Sequence, residues 1–302
     1  MNLNIDVAGI KLEHPVMNAS GILGSTYNDI AVLARAGFAA FVTKSFTREK
    51  REGYGTPIAV PISETLSLLN AVGLENPGLE GLAELLDSCK IFGKPIIVSI
   101  AGSSPEEFVE IAVVAEEHGA TAVELNLSCP HVRGRGLEIG ASPSAVREIV
   151  GIVSSSINIP VIVKLGLVDR LVEVASAALE AGARALTLIN SVKAMKIDIY
   201  AAKPILGNRV GGLSGKAIHP IAVRAVYEVY RELKPDIIGV GGVFSWEDAI
   251  ELIMAGARAV QIGTAIIYYG PEIVREIVEG MKRFLEQQGF RSIEEIVGYA
   301  VS

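Results

Sequence analysis

The chain has 302 residues, half of them hydrophobic and only 20% charged, enough for one large core with some apolar surface left for a partner to cover. A net charge of -7 excludes the basic face that nucleic-acid binders need, and two cysteines, Cys89 and Cys129, exclude a disulfide framework and a Cys/His metal site. The N-terminus has no signal-peptide pattern and no apolar run approaches a membrane span, so a soluble, cytoplasmic chain is expected.

Taken in chain order, "NIDVAGIKL" reads as a hairpin with Ala8 and Gly9 at its turn, placed to plug a barrel floor. Eight apolar runs follow, at 15–20, 39–45, 95–100, 121–127, 160–165, 185–190, 236–241 and 259–263. They lack in/out alternation, as parallel strands covered on both faces should. Segments with helical spacing lie between them, and "SSPEEFVEIAVVAEEHG", "SPSAVREIVGIV" and "SWEDAIELIMAG" open on a capping Ser. A weak repeat, "AGFAAFVT", "HGATAVELN", "AGARALTLI" and "AGARAVQIG", sets a helix-ending Gly just before a strand. This predicts an α/β fold, a (β/α)8 TIM barrel in one domain over 1–302, in preference to an open doubly wound sheet.

Barrel chemistry sits at the C-terminal ends of strands. Here those ends carry Ser20, Lys44, Ser99, Asn126, Lys164, Asn190, Gly241-Gly242 and Gly263-Thr264, and long loops after strands two and six reach the same mouth. The glycine pairs at strands seven and eight mark a phosphate site. Lys164 ends an otherwise apolar strand, where an unpaired ammonium is costly, so it faces an anion or is deprotonated; Lys44 makes the same argument one wall away. Cys129 follows "NLS" on a Gly-rich segment with Gly134, Gly136 and Gly140, which reads as a mobile lid carrying a base or nucleophile, with His131 as a possible helper. Cys89, inside a helix, reads as a small buried hydrophobe.

The motifs "TKSF", "SLLNAVGLENPG", "NLSCPHV", "LINSVKAMKIDI", "ILGNRVGGLSGKAIHP", "GVGGV" and "IGTA" together resemble the dihydroorotate dehydrogenase family, class 1, and its B subclass in particular. The resemblance implies FMN at the barrel mouth and oxidation of dihydroorotate to orotate in pyrimidine biosynthesis. It implies FMN contacts at Ser20, Lys44, Ser45, Ser99, Asn126, Lys164, Ile189, Gly215, Gly241, Gly242, Gly263 and Thr264. Substrate contacts are implied at Lys44, Asn70, Ala71, Val72, Gly73, Leu74, Asn126, Asn190 and Ser191. Cys129 would take the C5 proton and the flavin the C6 hydride, with Lys164 opposing charge near flavin N1.

For the B subclass the resemblance further implies a partner subunit carrying FAD and a 2Fe-2S cluster that passes electrons to NAD, in a homodimer or heterotetramer. The chain departs from the family pattern in three places. Ser99 stands where Asn is usual, "GLVD" follows "VKL" where "SPN" is common, and "SCPH" replaces "SCPN". The His of "SCPH" is shared with dihydropyrimidine dehydrogenases, so uracil or thymine is the alternative substrate class. A Schiff-base aldolase using Lys164 is the alternative from outside the flavoenzymes.

Overall fold

The computed structural model describes residues 1–128 and 137–301. An antiparallel hairpin of β1 (Ile5–Val7) and β2 (Ile10–Leu12) precedes two barrel strands, β3 (Val16–Asn18) and β4 (Phe41–Val42). Outside the barrel lie β5 (Ala59–Ile62) and β6 (Ser67–Asn70). The barrel resumes with β7 (Ile96–Ile100), β8 (Ala122–Asn126), β9 (Val161–Leu165) and β10 (Ala185–Leu188). The chain leaves it again for β11 (Val192–Ala194), β12 (Ile197–Asp198), β13 (Lys203–Pro204) and β14 (Gly211–Gly215). It then returns to complete the barrel with β15 (Ile237–Val240) and β16 (Ala259–Ile262).

The eight barrel strands form one parallel sheet in the order β3-β16-β15-β10-β9-β8-β7-β4, and helices follow the strands around the outside. The sheet is nearly closed, and the seam between β3 and β4 is stitched largely by one side chain. Asn18, fully buried, donates from Nδ2 to the Val42 carbonyl at 2.7 Å and accepts the Val42 N–H at 2.9 Å on Oδ1. A side-chain amide carries the same donor and acceptor as a peptide group, so it can stand in for a missing ladder rung. Backbone adds one bond at the seam, from Ala39 N–H to the Val16 carbonyl at 3.1 Å.

The helix starts and stops follow from local chemistry. Ser104 and Ser142 cap the helices Pro105–Glu117 and Pro143–Ser156 through their hydroxyls, and each helix has Pro in its first turn. Thr26 and Asp29 form a reciprocal capping box on Tyr27–Ala36. The four repeat glycines, Gly37, Gly119, Gly182 and Gly256, have φ of 104°, 88°, 109° and 122°. Each turns the chain from helix to strand in the left-handed region, where a Cβ is penalised, and this explains why the repeat is built on Gly.

The two long connections contain more order than loops. Residues of both join into a four-stranded antiparallel sheet, β11-β14-β6-β5, laid over the barrel mouth, with Gly212 opposite Asn70 and Gly215 opposite Ser67. Its own small apolar cluster is Leu69, Ala71 and Leu206. Tyr268 Oη donates to the Ser67 carbonyl at 2.8 Å and Thr264 Oγ1 to Ser214 Oγ at 2.8 Å, fastening the sheet to the barrel. Sequence pattern does not reveal these strands. β14 reads "GGLSG", poor in strand formers, and its partner β6 lies far away in the chain.

Candidate active site

Between the C-terminal strand ends and the overlying sheet lies a cavity of roughly 360 Å³, within the range of about 300–1,000 Å³ usual for small-ligand pockets. Ser20, Lys44, Ser45, Asn126, Lys164, Ile189, Gly215, Gly241, Gly242, Gly263 and Thr264 line it, and so do Asn70, Val72, Gly73, Leu74, Asn190 and Ser191. Two other residues singled out by the sequence stand back from the wall. Ser99 lies behind Ser45, its hydroxyl 2.9 Å from the Ser45 hydroxyl, and the Ala71 side chain packs into the apolar cluster of the covering sheet. Cys129, His131, Gly134 and Gly136 lie outside the described residues. Gly140 ends a short helix, Leu137–Gly140, and is buried.

The amides of the site are oriented by a chain of hydrogen bonds that crosses four strands. Asn126 Nδ2 donates to Ser45 Oγ at 3.0 Å, and Asn126 Oδ1 accepts from the Ser128 hydroxyl at 2.9 Å and from Asn190 Nδ2 at 3.4 Å. Asn190 Nδ2 also donates to Ser128 Oγ at 2.9 Å, while its Oδ1 accepts the Ser191 N–H at 2.7 Å. Thr43 Oγ1 accepts the Ser99 N–H at 3.0 Å behind the row. The network holds Ser128, the residue before Cys129, by both its hydroxyl and its N–H. Polar groups fixed in this way present donors and acceptors at set positions, as recognition of a polar ring demands.

The two lysines have different neighbours. Lys44 Nζ lies 3.8 Å from Glu75 Oε2 at the rim, whereas Lys164 Nζ lies 3.5 Å from Oε1 of Glu124, a residue with no exposure at all. Glu124 also accepts from Thr187 Oγ1 at 2.9 Å and from Gln261 Nε2 at 3.1 Å. Reading strand ends alone misses Glu124, Thr187 and Gln261 because they lie deeper in their strands. The signal exists in "AVELN" and "AVQIG", where a charged or amide side chain interrupts a buried apolar run, the same argument that singles out Lys164.

Behind the glycine pair of strand seven stands a buried histidine that the sequence reading also passes over. A His219 ring nitrogen, Nδ1, donates to the Gly241 carbonyl at 2.7 Å, and its Nε2 lies 3.2 Å from Glu251 Oε2. Both partners are oxygen acceptors, so the ring is held from both sides directly behind the Gly241–Gly242 turn. Gly242 has a φ of 69°, and a Cβ there would come within 2.6 Å of His219 Cβ. Asp248 takes the N–H groups of Phe244 and Ser245 at 2.9 and 3.0 Å and pairs with Lys216, closing the turn from the other side. The cavity wall at this end is therefore bare backbone, whose N–H groups an anion can approach closely.

No helix of the described residues is long and apolar enough to cross a membrane. A family model described as "Dihydroorotate dehydrogenase" matches residues 2–285. A protein of Aeropyrum pernix named putative dihydroorotate dehydrogenase A (fumarate) is 56% identical over 299 residues, covering 99% of this chain and 97% of that protein. The catalytic subunit of dihydroorotate dehydrogenase B (NAD(+)) of Thermoplasma acidophilum is 49% identical, with 99% of each chain covered. The protein of the same name from Thermococcus kodakarensis is 45% identical over 99% of this chain and 98% of its own.

Proposed function

The chain belongs to the dihydroorotate dehydrogenase family, an oxidoreductase family, and from that premise we propose that it oxidises dihydroorotate to orotate on FMN, as one catalytic unit acting in the cytoplasm. The observation that carries this reading is the convergence of Lys44, Asn70, Asn126, Lys164, Asn190 and Ser191 with the two glycine pairs on one cavity.

The residues fit FMN. Gly215, Gly241 and Gly242 present backbone where side chains would collide, since a Cβ at each would come within 2.4, 2.6 and 2.6 Å of a neighbour. The buried Gln261 Oε1, from a residue on the cavity wall, has no hydrogen-bond partner among the described residues and offers an acceptor. Ser20, Ser45, Asn126, Ile189, Thr264 and the glycines would hold the cofactor, with Lys164 as the cation against its anionic face. Ser99 would act through Ser45. When bound, FMN supplies the acceptor for the hydride leaving C6 of dihydroorotate. Cys129 Sγ would remove the C5 proton. Asn70, Asn126, Asn190, Ser191 and the 71–74 backbone would orient the pyrimidine ring, and Lys44 would face the substrate carboxylate.

For the electrons we favour a route to NAD through a separate subunit bearing FAD and a 2Fe-2S cluster, in a heterotetramer. Relatives at 44–49% identity carry the B (NAD(+)) catalytic-subunit name, and two cysteines in this chain are too few to ligate a four-Cys cluster. The Aeropyrum protein, named for fumarate, makes the acceptor a direct test. An anaerobic visible spectrum of the purified chain, before and after dihydroorotate, tests the rest. A flavin band that bleaches is expected. A flavin band indifferent to dihydroorotate but bleached on turnover with dihydrouracil would reassign the substrate, and absence of flavin after reconstitution would end the reading. Reoxidation by fumarate with the chain alone would replace the NAD route.

A further inference from the structure

Glu124 takes no part in the function proposed above, yet it is the most completely buried carboxylate around the cavity, with no exposure. It precedes Asn126 by two positions on β8, so it points to the same interior as Asn126 but one layer deeper. Its two oxygens are used differently. Oε2 takes the hydrogen bonds of Thr187 and Gln261, while Oε1 accepts no hydrogen bond among the described residues and lies 3.5 Å from Lys164 Nζ. The four side chains come from β8, β9, β10 and β16, so the cluster spans half the barrel.

A lysine at the end of a barrel strand has two possible chemistries. Desolvated without a counter-ion it becomes a free amine, a nucleophile toward carbonyl compounds; beside a carboxylate it remains an ammonium and an anion-binding cation. The Lys164 side chain is only 5% exposed, so water supplies little of its solvation and a neighbouring group must. Glu124 is the ion-pair partner of Lys164 among the described residues, and the carboxylate on the cavity wall, Glu75, pairs with Lys44. Glu124 in turn is fixed by the Thr187 hydroxyl and the Gln261 amide that donate to Oε2, which leaves Oε1 turned toward Lys164.

We propose that Glu124 is a positioning residue that keeps Lys164 protonated and directed along the cavity floor, so that Lys164 serves as a fixed cation and not as a carbonyl-condensing amine. The proposal rests on the reading of Lys164 as a cofactor-binding cation and adds how the fold enforces it. Removal of the charge at Glu124 releases the amine.

Reductive methylation of the full chain with formaldehyde and cyanoborohydride at neutral pH, resolved by mass spectrometry, reads the state of each lysine because only a neutral amine reacts. The measurement is made on flavin-free and FMN-saturated protein. Glu124→Gln is expected to raise the labelling rate of Lys164 relative to Lys44 by roughly tenfold or more in the flavin-free form. Glu124→Asp, which retains the charge, is expected to stay near the parent. Alkylation of the buried Cys89 thiol reports any general opening of the fold. A parental Lys164 rate in Glu124→Gln with Cys89 still protected overturns the proposal. If Glu124→Gln does not fold, thermal unfolding decides. Lys164→Met strands a buried carboxylate, so the double variant Glu124→Gln/Lys164→Met must melt higher than Lys164→Met alone, and a double variant that melts no higher overturns it. Labelling of the flavin-free chain does not depend on what the cavity binds, so a failure of the dihydroorotate reading would leave this result standing.

Discussion

The floor of the barrel, plugged by the hairpin, and its mouth are built on opposite rules. At the floor the hairpin places Leu3, Ile5, Val7, Ile10 and Leu12 in the core and leaves Lys11 in solvent. Only a few polar ties hold it, such as Ala8 N–H to Asp236 Oδ2 at 2.8 Å and Arg258 Nε to the Asp6 carbonyl at 2.7 Å. Toward the mouth the inward positions turn polar: Ala122, Glu124 and Asn126 along β8, Ile162 and Lys164 along β9, and Ala259 and Gln261 along β16. Each fully buried Leu, Ile or Val at the floor adds about 1.5–3 kcal/mol to stability, whereas each polar group at the mouth costs free energy unless it is paired. The barrel thus stores its stability at one end and its chemistry at the other.

Substitutions at each end sharpen or break that contrast. The largest expected effect is at the mouth. Cys129→Ser should slow dihydroorotate-driven flavin reduction by ~10²–10⁴-fold at neutral pH with flavin content unchanged, as stopped-flow absorbance would record. A variant as fast as the parent would remove Cys129 from the base role. Next comes the floor: Leu12→Ala should cost ~2–5 kcal/mol in denaturant unfolding while leaving kcat and KM at the parental values. A shifted KM there would mean that the two ends are coupled. Gly242→Ala lies between the regimes. Strain of ~1–2 kcal/mol at positive φ, added to the close approach of His219, should weaken FMN retention more than it lowers the melting temperature. A fluorescence titration with FMN that shows parental affinity would contradict it.

The smallest effect is a pH dependence at the floor. His14 is buried, its Nε2 donates to the Gly37 carbonyl at 2.9 Å and its Nδ1 accepts the Val16 N–H at 3.3 Å, an arrangement only the neutral ring can make. Burial, more than any neighbouring charge, pushes its pKa down from the ordinary value. The unfolded chain takes up this proton as pH falls through about 6.5, while the folded protein resists until a lower pH. Stability is therefore lost as pH falls below about 6.5, and melting curves of His14→Asn should show a shallower loss between pH 7 and pH 5 than the parent. Parallel slopes would show that His14 is not the group responsible.

Much of the fold was legible because local rules decide it. The eight barrel strands fall within the eight apolar runs, and the capping serines and the repeat glycines lie where turn and cap chemistry require them. The candidate site was legible at strand ends, where Lys44, Asn126, Lys164 and Asn190 interrupt aliphatic runs and do meet on one cavity. The covering sheet was not legible, because "GGLSG" and "AVPI" carry no alternation and pair with segments far along the chain. The Glu124 cluster was hidden for a different reason. Each of its members is a single polar residue, and only the barrel's register sets Asn126 beside Lys164 and Lys164 beside Thr187.

By itself, the sequence of this protein determined the alternation of strand and helix, the barrel that such units close into, and the polar residues at its mouth, since period, capping and turn chemistry act over a few residues. Tertiary structure alone decided that Asn18 would close the seam, that two distant loops would share a sheet, and that Lys164 would have Glu124 as its counter-ion. Those outcomes depend on which groups face one another across the sheet, and burial makes each such pairing matter without leaving a pattern along the chain.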